Sequence, residues 1–332
     1  MRFAIVGAGQ AGRLRARALS RVPGCQVVVA ADVDHSHAEA ICTDATADYR
    51  QAVERRDVDA VIVSTPPNLH TEVASAALEA GKHVLCEKPL APNLEECKAI
   101  LTAASRANRV VATGFNHRYF PNVEFVRQVI LSGQIGNVRH VRAYAGHPGE
   151  SEFRNRWEHS AEIIGGGTLM DNGIHLIDLV RFLGGEFDET AGEVQPGTDA
   201  EPNAFGLLRA NDGRIAELAS SWNEWRGYRF HIDVYGERGM ARAYYGPLLA
   251  LVATDRKSWR VFPAANLREK LFGWQATATA AMARELHDFV RQVSGDTSSG
   301  ASGYDGLRAV EIAHAVYRSA LNRQRVSLSG AE

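Results

Sequence analysis

The chain has 332 residues, of which 45% are hydrophobic and 23% are charged, and its formal net charge at pH 7 is −2. This length suits two domains, and the composition is that of an ordinary globular protein. The near-neutral charge argues against a nucleic-acid partner, because phosphate binding normally leaves a basic footprint. No apolar run approaches the roughly 20 residues that span a bilayer, and the strand-like start does not read as a signal sequence. We therefore expect a cytoplasmic protein that binds neither nucleic acid nor membrane.

The first 115 residues alternate between strand and helix signals. Short apolar, β-branched runs predict strands at 3–6, 26–31, 60–64, 83–86 and 110–113. Between them, helices are predicted over 11–21, 37–41, 69–80 and 94–107. This alternation predicts right-handed βαβ units and a doubly wound parallel sheet in an α/β domain, which we assign to residues 1–118.

After residue 118 the pattern changes. A helix at 122–131 leads to a strand near 138–147, an Arg-, Glu- and Trp-rich loop up to 164, and an apolar helix at 169–183. From 204 to 261 the pattern is strand-turn-strand, and helices at 278–293 and 306–322 end the chain. We predict that residues 119–332 form an α+β domain with an open, mainly antiparallel sheet, whose C-terminal helix can pack back on the first domain.

A glycine-rich turn follows the first predicted strand. Gly7, Gly9 and Gly12 form G-x-G-x-x-G between this strand and a helix, the context that a dinucleotide site requires. The first two glycines permit a tight turn and close approach of a pyrophosphate, which faces the helix N-terminus at Gln10 and Ala11. Gly12 lets the helix pack closely on the strand. The motif predicts a Rossmann domain, and an ordinary glycine turn is the alternative.

Asp32 ends the second predicted strand, 20 residues after Gly12. A carboxylate at this position can accept hydrogen bonds from the adenosine ribose hydroxyls, which favours NAD over NADP. The next residues, Val33 and Asp34, offer no arginine for a 2′-phosphate. The alternative is an aspartate that only shapes the end of the strand. We predict NAD as the cofactor, with NADP less favoured.

Lys88 lies in Glu87-Lys88-Pro89, directly after the predicted strand at 83–86. Ligands of doubly wound sheets bind beyond the carboxyl ends of the strands, which places this lysine at the cofactor crevice. Lysine is scarce, since only five of the 37 basic residues are Lys. A desolvated lysine can donate or accept a proton, which arginine cannot do. Lys88 is therefore a candidate catalytic residue, with a solvated loop cation as the alternative.

The predicted helix at 169–183 carries three polar residues on an apolar background. Asp171, His175 and Asp178 are spaced i, i+4 and i+7, which predicts one narrow stripe of the helix. Burying such a stripe is costly unless partners satisfy it, and a polar ligand in a cleft would do so. Alternatively, His175 is a satisfied core histidine, or Thr168 and Asp171 form a capping box. Asp178 suits a structural partner better than a reactant.

The 12 histidines and four cysteines show no metal-ligand spacing. Cys25, Cys42, Cys86 and Cys97 contain no CxxC pair, and they suit free thiols in a reducing compartment. We expect no metal.

Taken together, these motifs resemble the Gfo/Idh/MocA oxidoreductases, the glucose–fructose oxidoreductase and inositol dehydrogenase group, over nearly the whole chain. The matching segments are GAGQAG at 7–12, Asp32, STPPNLH at 64–70, EKP at 87–89, GFNHRY at 114–119, GGGTLMDNGIH at 165–175 and GYDGLRAVEIAHAVYRSA at 303–320. The resemblance implies an N-terminal Rossmann domain and a C-terminal substrate-binding domain whose sheet often mediates homodimers or homotetramers.

The resemblance also implies roles for single residues. Lys88 would polarise the reacting oxygen, His175 would take or return the hydroxyl proton, and Asp171 would orient the substrate or the histidine. Further cofactor contacts are expected from Thr65, Pro66, Asn68, His70 and Glu87. Further substrate contacts are expected from Asn116, Arg118, Tyr119 and Asn172, with Arg154 and Trp157 at the rim of the pocket.

The implied reaction is hydride transfer between nicotinamide and a hydroxyl or keto carbon of a sugar, nucleotide sugar or cyclitol. Two alternatives remain, because some members of such folds are glycosidases that use NAD transiently and others are regulators that sense a ligand. The presence of Lys88, Asp171 and His175 favours the dehydrogenase over the regulator.

Overall fold

The computed structural model describes residues 1–149, 156–296 and 299–328. Its contacts divide the chain into two compact units. The first comprises Met1–Asn116 and Phe272–Arg308, and the second comprises His117–Leu271 and Ala309–Glu332. The segment Phe272–Arg308 thus joins the first unit, whereas the sequence pattern grouped it with the second domain.

A six-stranded parallel sheet organises the first unit, in the order β3-β2-β1-β4-β5-β6. The strands are β1 Arg2–Val6, β2 Gln26–Ala31, β3 Ala45–Thr46, β4 Ala60–Val63, β5 His83–Cys86 and β6 Val111–Thr113. The helices are α1 Gln10–Leu19, α2 His35–Glu39, α3 Tyr49–Val53, α4 His70–Glu79 and α5 Leu94–Ala107. From β1 the strands follow one another in one direction to β3 and, starting with β4, in the other direction to β6. A doubly wound sheet binds its ligand at this switch point, beyond the carboxyl ends of β1 and β4.

The core of the first unit also includes a helix from late in the chain. Phe3 and Ile5 of β1 pack with Leu14 and Leu19 of α1 and with Leu286 and Phe289 of the helix Trp274–Val293. These side chains are at most 4% exposed. The glycine loop that joins β1 to α1 is therefore supported from both ends by a close-packed core.

The second unit is built on a nine-stranded sheet in the order β14-β13-β12-β11-β7-β10-β9-β8-β15. Its strands are β7 Val138–Gly146, β8 Glu189–Gln195, β9 Asn203–Arg209, β10 Ile215–Ser221, β11 Arg229–Gly236, β12 Met240–Tyr245, β13 Leu249–Ala253, β14 Lys257–Val261 and β15 Val326–Ser327. All neighbours are antiparallel except β7 and β10. The predicted fold class, a doubly wound parallel sheet followed by a mainly antiparallel α+β domain, is confirmed.

The remaining helices are α6 Pro121–Leu131, α7 Ala161–Ile164, α8 Ile174–Gly184, α9 Pro263–Phe272, α10 Trp274–Val293 and α11 Gly303–Asn322. Helix α8 packs on β7 and is buried along almost its whole length. The opposite sheet face is open, since alternate residues of β9 and β10, including Phe205, Leu207 and Ile215, are exposed.

Among the described residues, no helix is both long enough and apolar enough to cross a membrane.

Candidate active site

The glycine loop of the first unit has the close contacts that its three glycines permit. Gly7 has φ +92°, and a Cβ there would lie 2.5 Å from the carbonyl group of Ser64. A Cβ on Gly12 would lie 2.0 Å from the carbonyl oxygen of Gly7. A Cβ on Gly9 would meet no atom within 4 Å. Two glycines are thus required by packing, while Gly9 leaves open space above the N-terminus of α1, which begins at Gln10 and Ala11.

Asp32, which follows β2, faces this loop. Its Oδ2 accepts a hydrogen bond from the Ala8 N–H at 2.6 Å, and its Oδ1 accepts one from the Asp34 N–H at 2.9 Å. The side chain is 14% exposed, so the carboxylate remains open to a ligand. An open glycine loop with a carboxylate beside it fits a dinucleotide with free ribose hydroxyls.

The loop after β4 contains Thr65, Pro66, Asn68 and His70. Asn68 is exposed, and the buried Thr65 hydroxyl has no hydrogen-bond partner among the residues that the structure describes. A buried hydroxyl without a partner is costly, so a ligand that bonds to Thr65 would be favoured.

His70 lies elsewhere than predicted. Its ring is fully buried, with Nδ1 2.9 Å from the Pro89 carbonyl oxygen and Nε2 2.9 Å from the Thr65 carbonyl oxygen. Burial lowers the pKa of His70 below its ordinary value of 6.5. A neutral ring has one N–H, so it donates a hydrogen bond to one of these two carbonyl groups and only contacts the other. Because the ring is fully buried, it has no exposed surface for a cofactor.

The segment that follows β5 carries Glu87 and the half-buried Lys88. Glu87 accepts a hydrogen bond from Arg15 Nε at 2.6 Å, and the guanidinium of the fully buried Arg15 also binds Glu285. Burial alone would lower the pKa of Arg15, but the charges of Glu285 and Glu87 raise it, so this buried group stays a cation. A Cβ on Gly114 would lie 2.6 Å from Arg15 Nη2, which explains a glycine beside the pair.

In the second unit, the polar residues after the GGG segment do not lie on a regular α-helix. Residues Leu169–Gly173 form a π-helical turn that continues into α8. The predicted single stripe for Asp171, His175 and Asp178 is therefore wrong, because a π turn adds a residue and rotates what precedes it. Each of the three side chains has its own partners.

Asp171 is held by two side chains that directly follow strands β10 and β7. Its Oδ2 accepts a hydrogen bond from the indole N–H of Trp222 at 3.1 Å and lies 3.2 Å from Nε2 of His147. Thr168 and Asp171 do not form a capping box. The Thr168 N–H donates to the Glu201 carbonyl oxygen, and the Thr168 hydroxyl pairs with the Ser220 hydroxyl instead of the backbone of the turn. Asp171 is 19% exposed, so it is available to a ligand.

His175 is 6% exposed and stacks on His117, with ring centroids 3.9 Å apart and planes 18° apart. Tyr228 tilts against the same His117 ring at 6.2 Å. Burial, and then the charge of Asp171, raise the pKa of Tyr228. The Tyr228 hydroxyl and the Asn172 side-chain nitrogen are buried without a hydrogen-bond partner among the described residues. Polar groups of this kind favour a hydroxyl-rich ligand.

Arg118 is engaged within the second unit. Its Nε donates to Asp178 Oδ2 at 2.8 Å, both side chains are at most 6% exposed, and the guanidinium lies over the Phe182 ring. This buried ion pair makes Asp178 the structural partner that its sequence position favoured, and it places Arg118 in the core instead of the predicted substrate cleft.

The other predicted substrate contacts are placed as follows. Asn116 and Tyr119 are buried, at 7% and 6% exposure, in the first and second units respectively. Trp157 is 42% exposed. Arg154 lies outside the described residues. The described residues contain no group of three or more His, Cys, Asp or Glu side chains that could hold a metal ion.

Sequence reasoning missed His147, Trp222, His117 and Tyr228. His147 and Trp222 directly follow β7 and β10, the parallel pair of the second sheet, so their carboxyl-terminal ends lie at the same edge. That position could have identified them, had the pairing of β7 with β10 been known.

Comparisons with known proteins match the chain to a family of oxidoreductases. Residues 1–115 match a family model described as "Oxidoreductase family, NAD-binding Rossmann fold", and residues 123–242 match the "GFO/IDH/MocA C-terminal domain". The chain is 29% identical to an inositol 2-dehydrogenase of Rhizobium meliloti, over 99% of each chain. It is 30% identical to an inositol 2-dehydrogenase of Acidothermus cellulolyticus, over 93% of this chain and 89% of that protein.

Among solved structures, a levoglucosan dehydrogenase in complex with NADH and L-sorbose superposes with a TM-score of 0.88. The two chains are 24% identical, and the match covers 100% of this chain and 99% of that one, so this likeness bears on the fold. The glycine loop and the family match define an NAD-dependent oxidoreductase with an N-terminal Rossmann domain. The chain belongs to the GFO/IDH/MocA oxidoreductase family.

Proposed function

We propose that the protein is an NAD-dependent dehydrogenase or reductase of a sugar or cyclitol. The observation that carries this proposal is the set of buried, unpartnered polar atoms of Asn172 and Tyr228 in the unit that holds Asp171 and His175. Hydroxyl groups of a polyol would satisfy these atoms, and two family members similar over most of the chain are inositol 2-dehydrogenases.

The glycine loop, Asp32 and Thr65 would hold the dinucleotide, with Pro66, Asn68 and Glu87 in its surroundings. The chemistry that NAD supplies is uptake or return of a hydride. His175 would hold the proton that leaves the substrate hydroxyl, and Lys88 would polarise the same oxygen. Asp171, fixed by Trp222 and His147, would orient the substrate. Asn172 would donate a hydrogen bond to the substrate, and Asn116, Tyr119 and Trp157 would lie around it.

The experiment that tests the proposal follows NADH absorbance while NAD is mixed with a panel of cyclitols, sugars and nucleotide sugars. A lasting rise in NADH with one of them supports the dehydrogenase. Cleavage of a glycoside without net NADH would instead identify a glycosidase. NAD binding without turnover of any compound would point to a regulator.

Asp32 provides a prediction about cofactor choice. Its carboxylate should repel a 2′-phosphate, because close like charges cost several kcal/mol. NADH should therefore bind more tightly than NADPH, and Asp32→Ala should narrow the difference by at least about tenfold. Fluorescence titration with both nucleotides measures this.

Asp34→Ala is the matched control, since it removes the same charge two residues further on, from a side chain that caps α2. It should leave the preference unchanged. Tighter binding of NADPH by the unaltered protein would overturn the assignment of Asp32.

We also propose a homodimer or homotetramer that forms through the open face of the second sheet. Phe205, Leu207 and Ile215 are 52%, 40% and 44% exposed on neighbouring strands of that face. Exposed apolar patches of this kind are typical of interaction surfaces. Light scattering coupled to gel filtration would measure the mass. A monomeric mass for the unaltered protein, which Leu207→Asp leaves unchanged, would contradict the proposal.

A cytoplasmic location is the accompanying proposal. All four cysteines are free thiols, and burial raises the pKa of Cys97 to about 12. Free thiols suit a reducing compartment. Disulfide-linked cysteines in protein isolated from its natural source without reductant would argue against this location.

A further inference from the structure

The residues on both sides of Lys88 are anchored to buried side chains. On one side, the Glu87 carboxylate accepts a hydrogen bond from Arg15 Nε at 2.6 Å. On the other side, the Pro89 carbonyl oxygen lies 2.9 Å from His70 Nδ1. Arg15 and His70 are both 0% exposed. Neither anchor can therefore reach a ligand directly, yet each fixes the main chain or side chain of a neighbour of Lys88.

Both anchors also tie Lys88 to the segments that surround the glycine loop. Arg15 belongs to α1, which begins at that loop. The second ring nitrogen of His70 lies 2.9 Å from the Thr65 carbonyl oxygen, in the loop after β4. Arg15 thus links the Lys88 segment to α1 by a hydrogen bond. The His70 ring lies between the Lys88 segment and the loop after β4, within 2.9 Å of a carbonyl oxygen of each, and donates to one of them.

A lysine needs such support more than most residues. Its ammonium group is carried on a flexible four-carbon stem, so its position depends strongly on the backbone that carries it. Displacing a catalytic group by about 1 Å can cost on the order of 100-fold in rate.

We propose that His70 and Arg15 are positioning residues that fix Lys88. The part of this proposal that concerns catalysis rests on the proposed function, in which Lys88 acts on the substrate oxygen. The part that concerns the placement of Lys88 does not depend on the reaction, and it can be measured in the protein alone.

The first measurement uses the scarcity of lysine. The chain has only five lysines, so reductive methylation with 13C-formaldehyde gives a small set of dimethyl-lysine NMR signals. The Lys88 signal is identified by its absence in Lys88→Met. In His70→Leu this signal should shift and narrow as the side chain becomes mobile. His70→Gln keeps an amide donor at this position and should stay closer to the unaltered protein.

His83→Gln is the matched control. His83 belongs to β5, the strand that leads to Lys88, and its Nδ1 accepts a hydrogen bond from the Val110 N–H at 3.1 Å. This variant removes a ring and alters a part-buried hydrogen bond of the same unit without touching Pro89 or Thr65. Its Lys88 signal should remain in place. A Lys88 signal that is unchanged in folded His70→Leu and His70→Gln would overturn the proposal.

The second measurement is a double-mutant cycle on kcat with the substrate that the panel identifies. In the background that keeps Lys88, His70→Leu should lower kcat by roughly 10- to 100-fold. In the Lys88→Met background, it should have almost no further effect on kcat. Arg15→Lys should behave in the same way, while NADH affinity changes little. Equal losses in both backgrounds would show a merely structural role and overturn the proposal. An active Lys88→Met would instead contradict the proposed function, whatever the NMR signal shows.

Discussion

Replacement of Lys88 by methionine is expected to lower kcat by roughly 10²–10⁴-fold, the usual effect of losing a positioned acid–base group. Methionine keeps an unbranched apolar chain and removes only the ammonium group. Since Lys88 is half-buried and lies in a loop, the thermal midpoint should change little. The affinity for NADH should also change much less than kcat, because the glycine loop and Asp32 remain intact. Steady-state kinetics and a fluorescence titration measure the two quantities.

Lys98→Met is the control for this prediction. Lys98 is a surface lysine of α5 whose side chain is 59% exposed and pairs with Glu95 at 3.0 Å. Its loss removes the same charge and should leave kcat unchanged, since exposed ion pairs contribute little. If Lys88→Met turned over like the unaltered protein, Lys88 would be a bystander and the proposed mechanism would lose its electrophile.

Much of the fold was predictable because its signals are local. The strands Gln26–Ala31 and His83–Cys86 and the helix Leu94–Ala107 begin and end where their apolar patterns and caps indicate, the last with Asn93 as N-cap. The missed elements lack such signals. Helix α9 has no buried residue, and β8 has the largely polar sequence ETAGEVQ, so neither shows a clear apolar period.

The site was predictable only in part, for a physical reason. Lys88, Asp171 and His175 stand out because their residue types contrast with the sequence around them. Their partners do not, since Trp222 is 51 residues from Asp171 and Arg15 is 72 residues from Glu87 along the chain. Such pairs are set by tertiary structure. The π-helical turn was also not predicted, because apolar periodicity does not reveal an inserted residue in a helix that is buried on all sides.

His175→Asn is the second change expected to have a large effect, since it removes the group proposed to accept the hydroxyl proton. Turnover should fall by roughly 10²–10⁴-fold. Steady-state rates of both proteins, measured per folded molecule, test the prediction.

Stability separates this role from that of a core histidine. The ring is 6% exposed and stacked on His117, so its loss should cost about 0.5–1.5 kcal/mol of unfolding free energy. His140→Asn is the matched control, because His140 stacks on Tyr235 at 4.2 Å in the same unit. The two variants should lose similar stability, but only His175→Asn should lose turnover per folded molecule. If His175→Asn kept its turnover and lost only stability, His175 would be a structural residue, and the proton acceptor would have to be sought among the other side chains near Asp171.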